Sequence, residues 1–310
     1  MRARTIDERE ALQRTAEAQR EHERHLVAHH YEHNPEIFRL VLGADLLYST
    51  GIFAGDDEDL DTAQRRKLAR IAAKLDLKPG DLLLDVGCGW GSILLNAAEA
   101  GSRVFGVTLS ARQREVAMAR AAERGLAERV RIDRAHVEDL ALAPESVDAV
   151  VFSGSIVHMH NREAVYEQIA RALRPGGRLL VSDCFFPRQP RGDHESKATE
   201  YIFITALGYC RLLSLSEELG LMERAGMDVL HVEDLTRSYV LTVNHWIDNV
   251  RRHRDRIEAL APGFAQILQT YMTIGRLSFH RRTALEYMIL AVKGRPHLHV
   301  GAWPIPGQTA

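Results

Sequence analysis

The chain has only three cysteines in 310 residues. Cys88, Cys184 and Cys210 are odd in number and far apart, which excludes a disulfide framework and a Cys-x-x-Cys metal or redox pair. No uncharged apolar run approaches the roughly 20 residues needed to span a bilayer. The N-terminal MRARTIDERE lacks the apolar centre of a secretory signal. No sign of charge dominates: 40 basic residues against 42 acidic ones leave a formal charge of −2, so nothing draws the chain as a whole to nucleic acid or an anionic membrane. Internal repeats and low-complexity tracts are missing too. These absences predict a cytoplasmic protein with no metal site, no nucleic-acid partner and no stable membrane insertion.

With 45% apolar residues, the chain can bury one large core or a core carrying a sizeable insertion. Residues 1–30 are rich in Arg, Glu, Gln and His without a broad apolar stripe, so they read as an exposed helix or as an arm that docks on a second subunit. Ile37, Phe38, Val41 and Leu42 follow helical spacing, and a helix over 61–74 ends at the Lys78-Pro79-Gly80 turn. Short apolar runs then alternate with helical stretches. Strands are expected over 82–86, 104–107, 130–133, 149–152 and 179–182, with helices over 111–124 and 163–173, a doubly wound α/β pattern with a parallel sheet. Pro175 and a Gly-Gly turn should stop the second of those helices. Further on, a helix capped by Gly226 leads to another strand, residues 240–280 read as two helices separated by Ala-Pro-Gly, and EYMILAVKG reads as a last strand. The resulting division is a helical arm and cover over 1–60, a cofactor-binding core over 61–187, lid helices and last strands over 188–295, and a tail over 296–310.

In open parallel sheets the ligand sits outside the carboxyl ends of the strands. LLLDVGCGWGS places Gly87, Gly89 and Gly91 there, behind the strand that ends near Asp85, so backbone can approach a ligand and the next helix N-terminus offers amide donors. The spacing is Gly-x-Gly-x-Gly with Trp90 in the fourth position, which departs from the Gly-x-Gly-x-x-Gly of dinucleotide sites and suits a smaller zwitterion. Asp85 supplies a carboxylate suited to a ligand ammonium or to orienting the loop. The second strand ends in GVTLSARQ, without the acid that a nicotinamide ribose would want.

The string Asp-x-Gly-x-Gly-x-Gly resembles the S-adenosylmethionine signature of class I methyltransferases. From about residue 30 to the last strand, the chain further resembles the cyclopropane fatty acid synthase and mycolic acid methyltransferase family, most clearly over YSTGIFAGDDEDLDTAQRRKLARIAAKLDLKPGDLLLDVGCGWG. The resemblance implies a Rossmann-like, mostly parallel seven-stranded sheet with helical lid insertions, S-adenosylmethionine as cofactor and a methyltransferase of EC 2.1.1. It implicates Tyr48, Ser49, Thr108, Leu109 and Gln113 in cofactor binding, places the adenine near His136, Val137 and Glu138, and adds Ser153 at the fourth strand's end.

Members of that family hold a bicarbonate base by a glutamate after the fourth strand, a histidine after the fifth and a tyrosine in the later helices. Here the glutamate position falls on or beside His158 in SGSIVHMHN, and the histidine position falls on Ser182 with Asp183 next. Tyr239 keeps the tyrosine, and Thr50 stands for a family cysteine beside Tyr48 and Ser49. Two grips are therefore missing, and with them the expectation of ring closure to cyclopropane. A neutral imidazole can accept a proton near physiological pH, so His158 becomes the expected base, with His160 as alternative and with Tyr31 and Tyr239 as expected catalytic aromatics. Aromatics make up only 6% of the chain, and those of the cover and the lid would shelter a cation. The expected function is methylation of an alkene carbon in a lipophilic small molecule (prenyl, polyketide or fatty acyl), followed in some cases by cation rearrangement or cyclisation. Methylation of oxygen or nitrogen in a natural product is the alternative, and a non-methylating cyclase or scaffold the third.

Overall fold

The computed structural model describes residue 21 and residues 33–187 and 210–294. Apart from Glu21, the arm expected over 1–30 lies outside the described residues, as do Tyr31, the stretch 188–209 with the expected lid aromatics Tyr201, Phe203 and Tyr209, and the tail over 296–310.

Local chemistry sets the helix starts. Helix α1 (Pro35–Leu42) opens with Pro at its first position and with the Asn34 side chain accepting from Glu36 N–H. Helix α2 (Leu60–Leu75) is capped by Asp59 accepting from Thr62 N–H, and its C-cap Asp76 takes the left-handed conformation. Strand β1 (Leu82–Val86) leads through the glycine turn into α3 (Ser92–Glu99), β2 (Arg103–Thr108) and α4 (Ala111–Glu123), whose cap is Ser110. Then come β3 (Val130–Arg134), β4 (Val147–Ser153), α5 (Arg162–Ala172) and β5 (Leu173–Phe185). After the undescribed stretch, α6 (Leu215–Arg224) starts on a Ser214–Glu217 capping box and leads to β6 (Met227–Asp234). Helices α7 (Thr236–Arg252), α8 (Arg254–Leu260) and α9 (Phe264–His280) precede β7 (Leu285–Lys293).

The strands form one sheet in the order β3-β2-β1-β4-β5-β7-β6, with β1 to β5 parallel and β7 antiparallel between β5 and β6. Leu68, Ile71, Leu94 and Ala117 pack one face of it, and Tyr166, Ile169 and Met222 pack the other. A third cluster joins α1 to the later helices through Phe38, Trp90, Trp246 and Tyr271. Trp90 is 2% exposed and stands 4.8 Å from the Phe38 ring, so it pins the helical cover onto the glycine turn.

The helix expected over 163–173 runs from Arg162 to Ala172, and Pro175 shortly past its end keeps Arg174 from continuing it. One expectation needs correction. The region read as two helices holds three, since the chain breaks at His253 (φ −108°, ψ 17°) as well as before Gly263.

Candidate active site

At the carboxyl ends of β1, β2 and β4 the surface opens into a cleft of about 840 Å³, counted with its open mouth. Tyr48, Ser49, Asp85, Gly87, Gly89, Thr108, Leu109, Gln113, His136, Val137 and Ser153 line it, as does His158. Thus the structure gathers most of the sequence-predicted cofactor residues around one space. Gly91 and Glu138 do not line it. Gly91 caps α3 against Ala117, and Glu138 donates its N–H to His136 Nδ1 at 3.3 Å.

Each wall has a local cause. The turn after β1 is pulled back by Gly87 and Cys88 N–H, which both donate to Val107 O on β2. Thr108 Oγ1 donates to Gln113 Oε1 at 2.7 Å and accepts from Ser110 N–H, so the start of α4 is tied to the end of β2. After β4, Ser155 Oγ donates to Val86 O at 2.6 Å, bolting that loop to β1. Tyr48 stands edge-on to Trp246 at 5.4 Å. Asp85 is 1% exposed, and burial pushes its carboxyl up to about 7 against the pull of Leu94 N–H. Its Oδ2 has no hydrogen-bond partner among the described residues. A buried carboxylate oxygen left over at a glycine turn is an acceptor waiting for a donor, which fits the ammonium of an amino-acid-like ligand.

That burial has a measurable signature. A carboxyl whose hold on its proton is raised on folding stabilises below its unfolded value near 3.8 and loses that contribution as the pH rises to about 7. Relative to Asp85→Asn, the wild-type protein should therefore lose stability between those two pH values, as read by urea unfolding without ligand.

His158 ends a short helical turn, Ile156–His158, and is half-buried. Buried Asp183 braces that turn by accepting from Ile156 N–H (3.0 Å) and Val157 N–H (3.4 Å), and Arg211 N–H donates to Val157 O. Val157 reaches an apolar corner of Leu212, Phe279 and Ala284, against which Cys184 and Tyr239 pack. Tyr239 does not line the cleft. Its ring stands 4.4 Å edge-on to Phe279 and 6.2 Å from Trp246, and burial pushes its phenol well up.

The family model of mycolic acid cyclopropane synthetase matches residues 18–287. This chain belongs to that family. It is an S-adenosylmethionine-dependent methyltransferase, and the cleft described above fits that cofactor. A probable fatty acid methyltransferase of Mycobacterium tuberculosis is 30% identical over 283 residues, which cover 87% of this chain and only 63% of that relative. The 27-O-demethylrifamycin SV methyltransferase of Amycolatopsis mediterranei is 31% identical over 255 residues, 80% of this chain and 92% of that one. Among solved structures, mycolic acid cyclopropane synthase CmaA1 complexed with SAH and CTAB superposes with a TM-score of 0.81 at 26% identity, covering 87% of this chain and 98% of that one.

Sequence reasoning missed Ser155, which lines the cleft and has a visible signal in the Ser-Gly-Ser after β4. It also missed Lys67 and Glu286, both buried. Their signal was a charged residue within an otherwise apolar face: Lys67 among Leu60, Ala63 and Ile71, and Glu286 at the head of LEYMILAV.

Proposed function

We propose that this protein methylates an alkene carbon of a lipophilic small molecule, with His158 receiving the proton that the acceptor gives up. The observation that carries this reading is the joining of the cofactor cleft, through the Ile156–His158 turn, to the apolar corner of Tyr239, Phe279 and Leu212. Bound in the cleft, S-adenosylmethionine supplies a methyl group on positively charged sulfur. Asp85 would hold its ammonium, Thr108 and Gln113 would hold the ribose side, and His136 and Val137 the adenine. Tyr48, which lines the cleft, offers an aromatic ring to positive charge, and the apolar corner keeps water from quenching it. The fatty acid and mycolic acid relatives act on lipids by name, which supports a lipophilic acceptor.

A second reading is methylation of a hydroxyl, which His158 would deprotonate. The rifamycin relative, named for an O-demethyl substrate and covered over 92% of its length, favours it.

Incubation with methyl-labelled S-adenosylmethionine and pooled prenylated, fatty acyl and hydroxylated acceptors, followed by mass spectrometry and NMR, decides between them. Label on carbon supports the first reading, and label on oxygen replaces it with the second. His158→Ala should lower kcat on the order of a hundredfold or more, with affinity for S-adenosylhomocysteine nearly unchanged. An equal loss of that affinity would make His158 a structural residue.

A further inference from the structure

On the sheet face that α2 covers, the residues nearest the carboxyl rim are polar where the rest of the face is aliphatic. Pairing places Ser153 beside Ser182, and Cys184 beside Glu286, while Val151, Leu180 and Met288 continue the same face inward beneath Leu68 and Ile71. Ser182 Oγ donates to Glu286 Oε1 at 3.0 Å, and Cys184 Sγ donates to Oε2 at 3.4 Å. Overhead, fully buried Lys67 donates to Ser49 Oγ at 3.0 Å, and the Ser49 and Ser153 hydroxyls lie 3.1 Å apart. Ser49 and Ser153 line the cofactor cleft. Lys67 therefore stands one hydroxyl, Ser49, behind the cleft, and Glu286 stands one layer further back, behind Ser182, which pairs beside Ser153.

Burial disfavours both charges, and each partly rescues the other. Glu286 is pushed up to about 7 and Lys67 down to about 8, while the neighbouring Asp183 carboxyl drives Glu286 further up. The groups around Glu286 are Lys67 from α2, Ser182, Asp183 and Cys184 from β5, and Thr236 and Tyr239 from α7. Thr236 Oγ1 accepts from Glu286 N–H at 3.1 Å, and the Glu286 charge is felt at the Tyr239 phenol. Packing does not call for such a pair, since apolar side chains of similar volume commonly hold a core as well or better. A negative charge set behind a cleft that receives a sulfonium has an evident use.

We propose that Glu286 is a positioning residue for methyl transfer: its carboxylate, held by Ser182 beneath the cleft's Ser153, is a fixed negative charge behind the cofactor cleft, and Lys67, between it and Ser49, sets whether it is ionised. This rests on the carbon-methylation reading, in which alkene attack leaves positive charge on the acceptor carbon until a neighbouring C–H proton passes to His158.

The test uses the full chain and three readouts: steady-state kinetics with the acceptor found by labelling, calorimetry with S-adenosylhomocysteine, and an infrared pH titration of buried carboxyl groups in the ligand-free protein. Glu286→Gln should lower kcat about thirtyfold, leave KM and S-adenosylhomocysteine affinity within about twofold, and remove one carboxyl band that titrates near neutrality. Lys67→Met should move that band, and the acid limb of the kcat profile, to higher pH, because the charge that favours the ionised carboxylate is gone. Unchanged kcat in Glu286→Gln, or a band that ignores Lys67→Met, overturns the inference. So does a joint fall of thermal midpoint and ligand affinity, which marks a packing role. Label found on oxygen overturns the carbon reading alone, because the band and its dependence on Lys67 are read without any acceptor.

Discussion

Arg162→Met is expected to lower the unfolding free energy by roughly 3–5 kcal/mol, the usual cost of stripping one partner from a buried ion pair. The Arg162 and Glu218 side chains are 2% and 0% exposed, and they pair across α5 and α6. The Tyr166 hydroxyl donates to the same carboxylate, and Arg162 also donates to Arg211 O, where the described chain re-enters after 209. Burial already raises the Glu218 carboxyl's hold on its proton, and the Arg162 charge is what opposes it most. Without the guanidinium, Glu218 must be buried unpaired or take up a proton. Urea unfolding measures the loss, and Arg162→Met combined with Glu218→Leu should recover much of it, because an apolar pair carries no desolvation cost. A single mutant within 1 kcal/mol of wild type would show that the pair is not closed in solution. The effect reaches the site as well: Arg211 N–H holds Val157 O at 2.7 Å, next to His158.

The second large effect is expected at Gly87. Its φ is +77°, and a β-carbon built there would stand 2.4 Å from Ser155 Cβ. Alanine therefore meets both an unfavourable backbone region and a rigid neighbour whose hydroxyl is tied to Val86 O. Strain and overpacking together amount to about 4 kcal/mol. Relief would come from moving the turn, which spoils the cofactor's seat, so calorimetry of Gly87→Ala should show S-adenosylhomocysteine affinity weakened roughly a thousandfold. Far-UV circular dichroism should keep its sheet signal. Binding within about fivefold of wild type would remove the glycine turn from the account of the cofactor site.

Much of the fold was legible in the sequence, and so was the gathering of most expected cofactor residues around one cleft. Strands β1 to β4 lie where apolar runs between turn signals placed them, because a strand buried on both faces must be continuously apolar. The residues expected to bind the cofactor sit next to elements that sequence locates well, at the ends of β1, β2 and β4. Less legible were the features set by long-range pairing. The extra break at His253 has no proline or glycine to announce it. Tyr239 was expected at the reacting centre, but its edge-on packing against Phe279 and Trp246 sets it beside the cleft rather than in its lining. Ser182 and Asp183 looked like bare departures from a family pattern, yet one hydrogen-bonds Glu286 and the other braces the turn that carries His158.

The amino-acid order alone determined that Leu82–Gly91 forms a strand and a tight glycine turn, since apolar runs, caps and side-chain-free positions act within a few residues of one another. Whether Lys67 and Glu286 are surface charges or a buried pair behind the cleft was decided only when α2 closed over the sheet and β7 inserted beside β5. Their chemistry is that of the environment, which 218 intervening positions of sequence do not spell out: desolvation and the field of a distant partner exist only once the chain has brought them together.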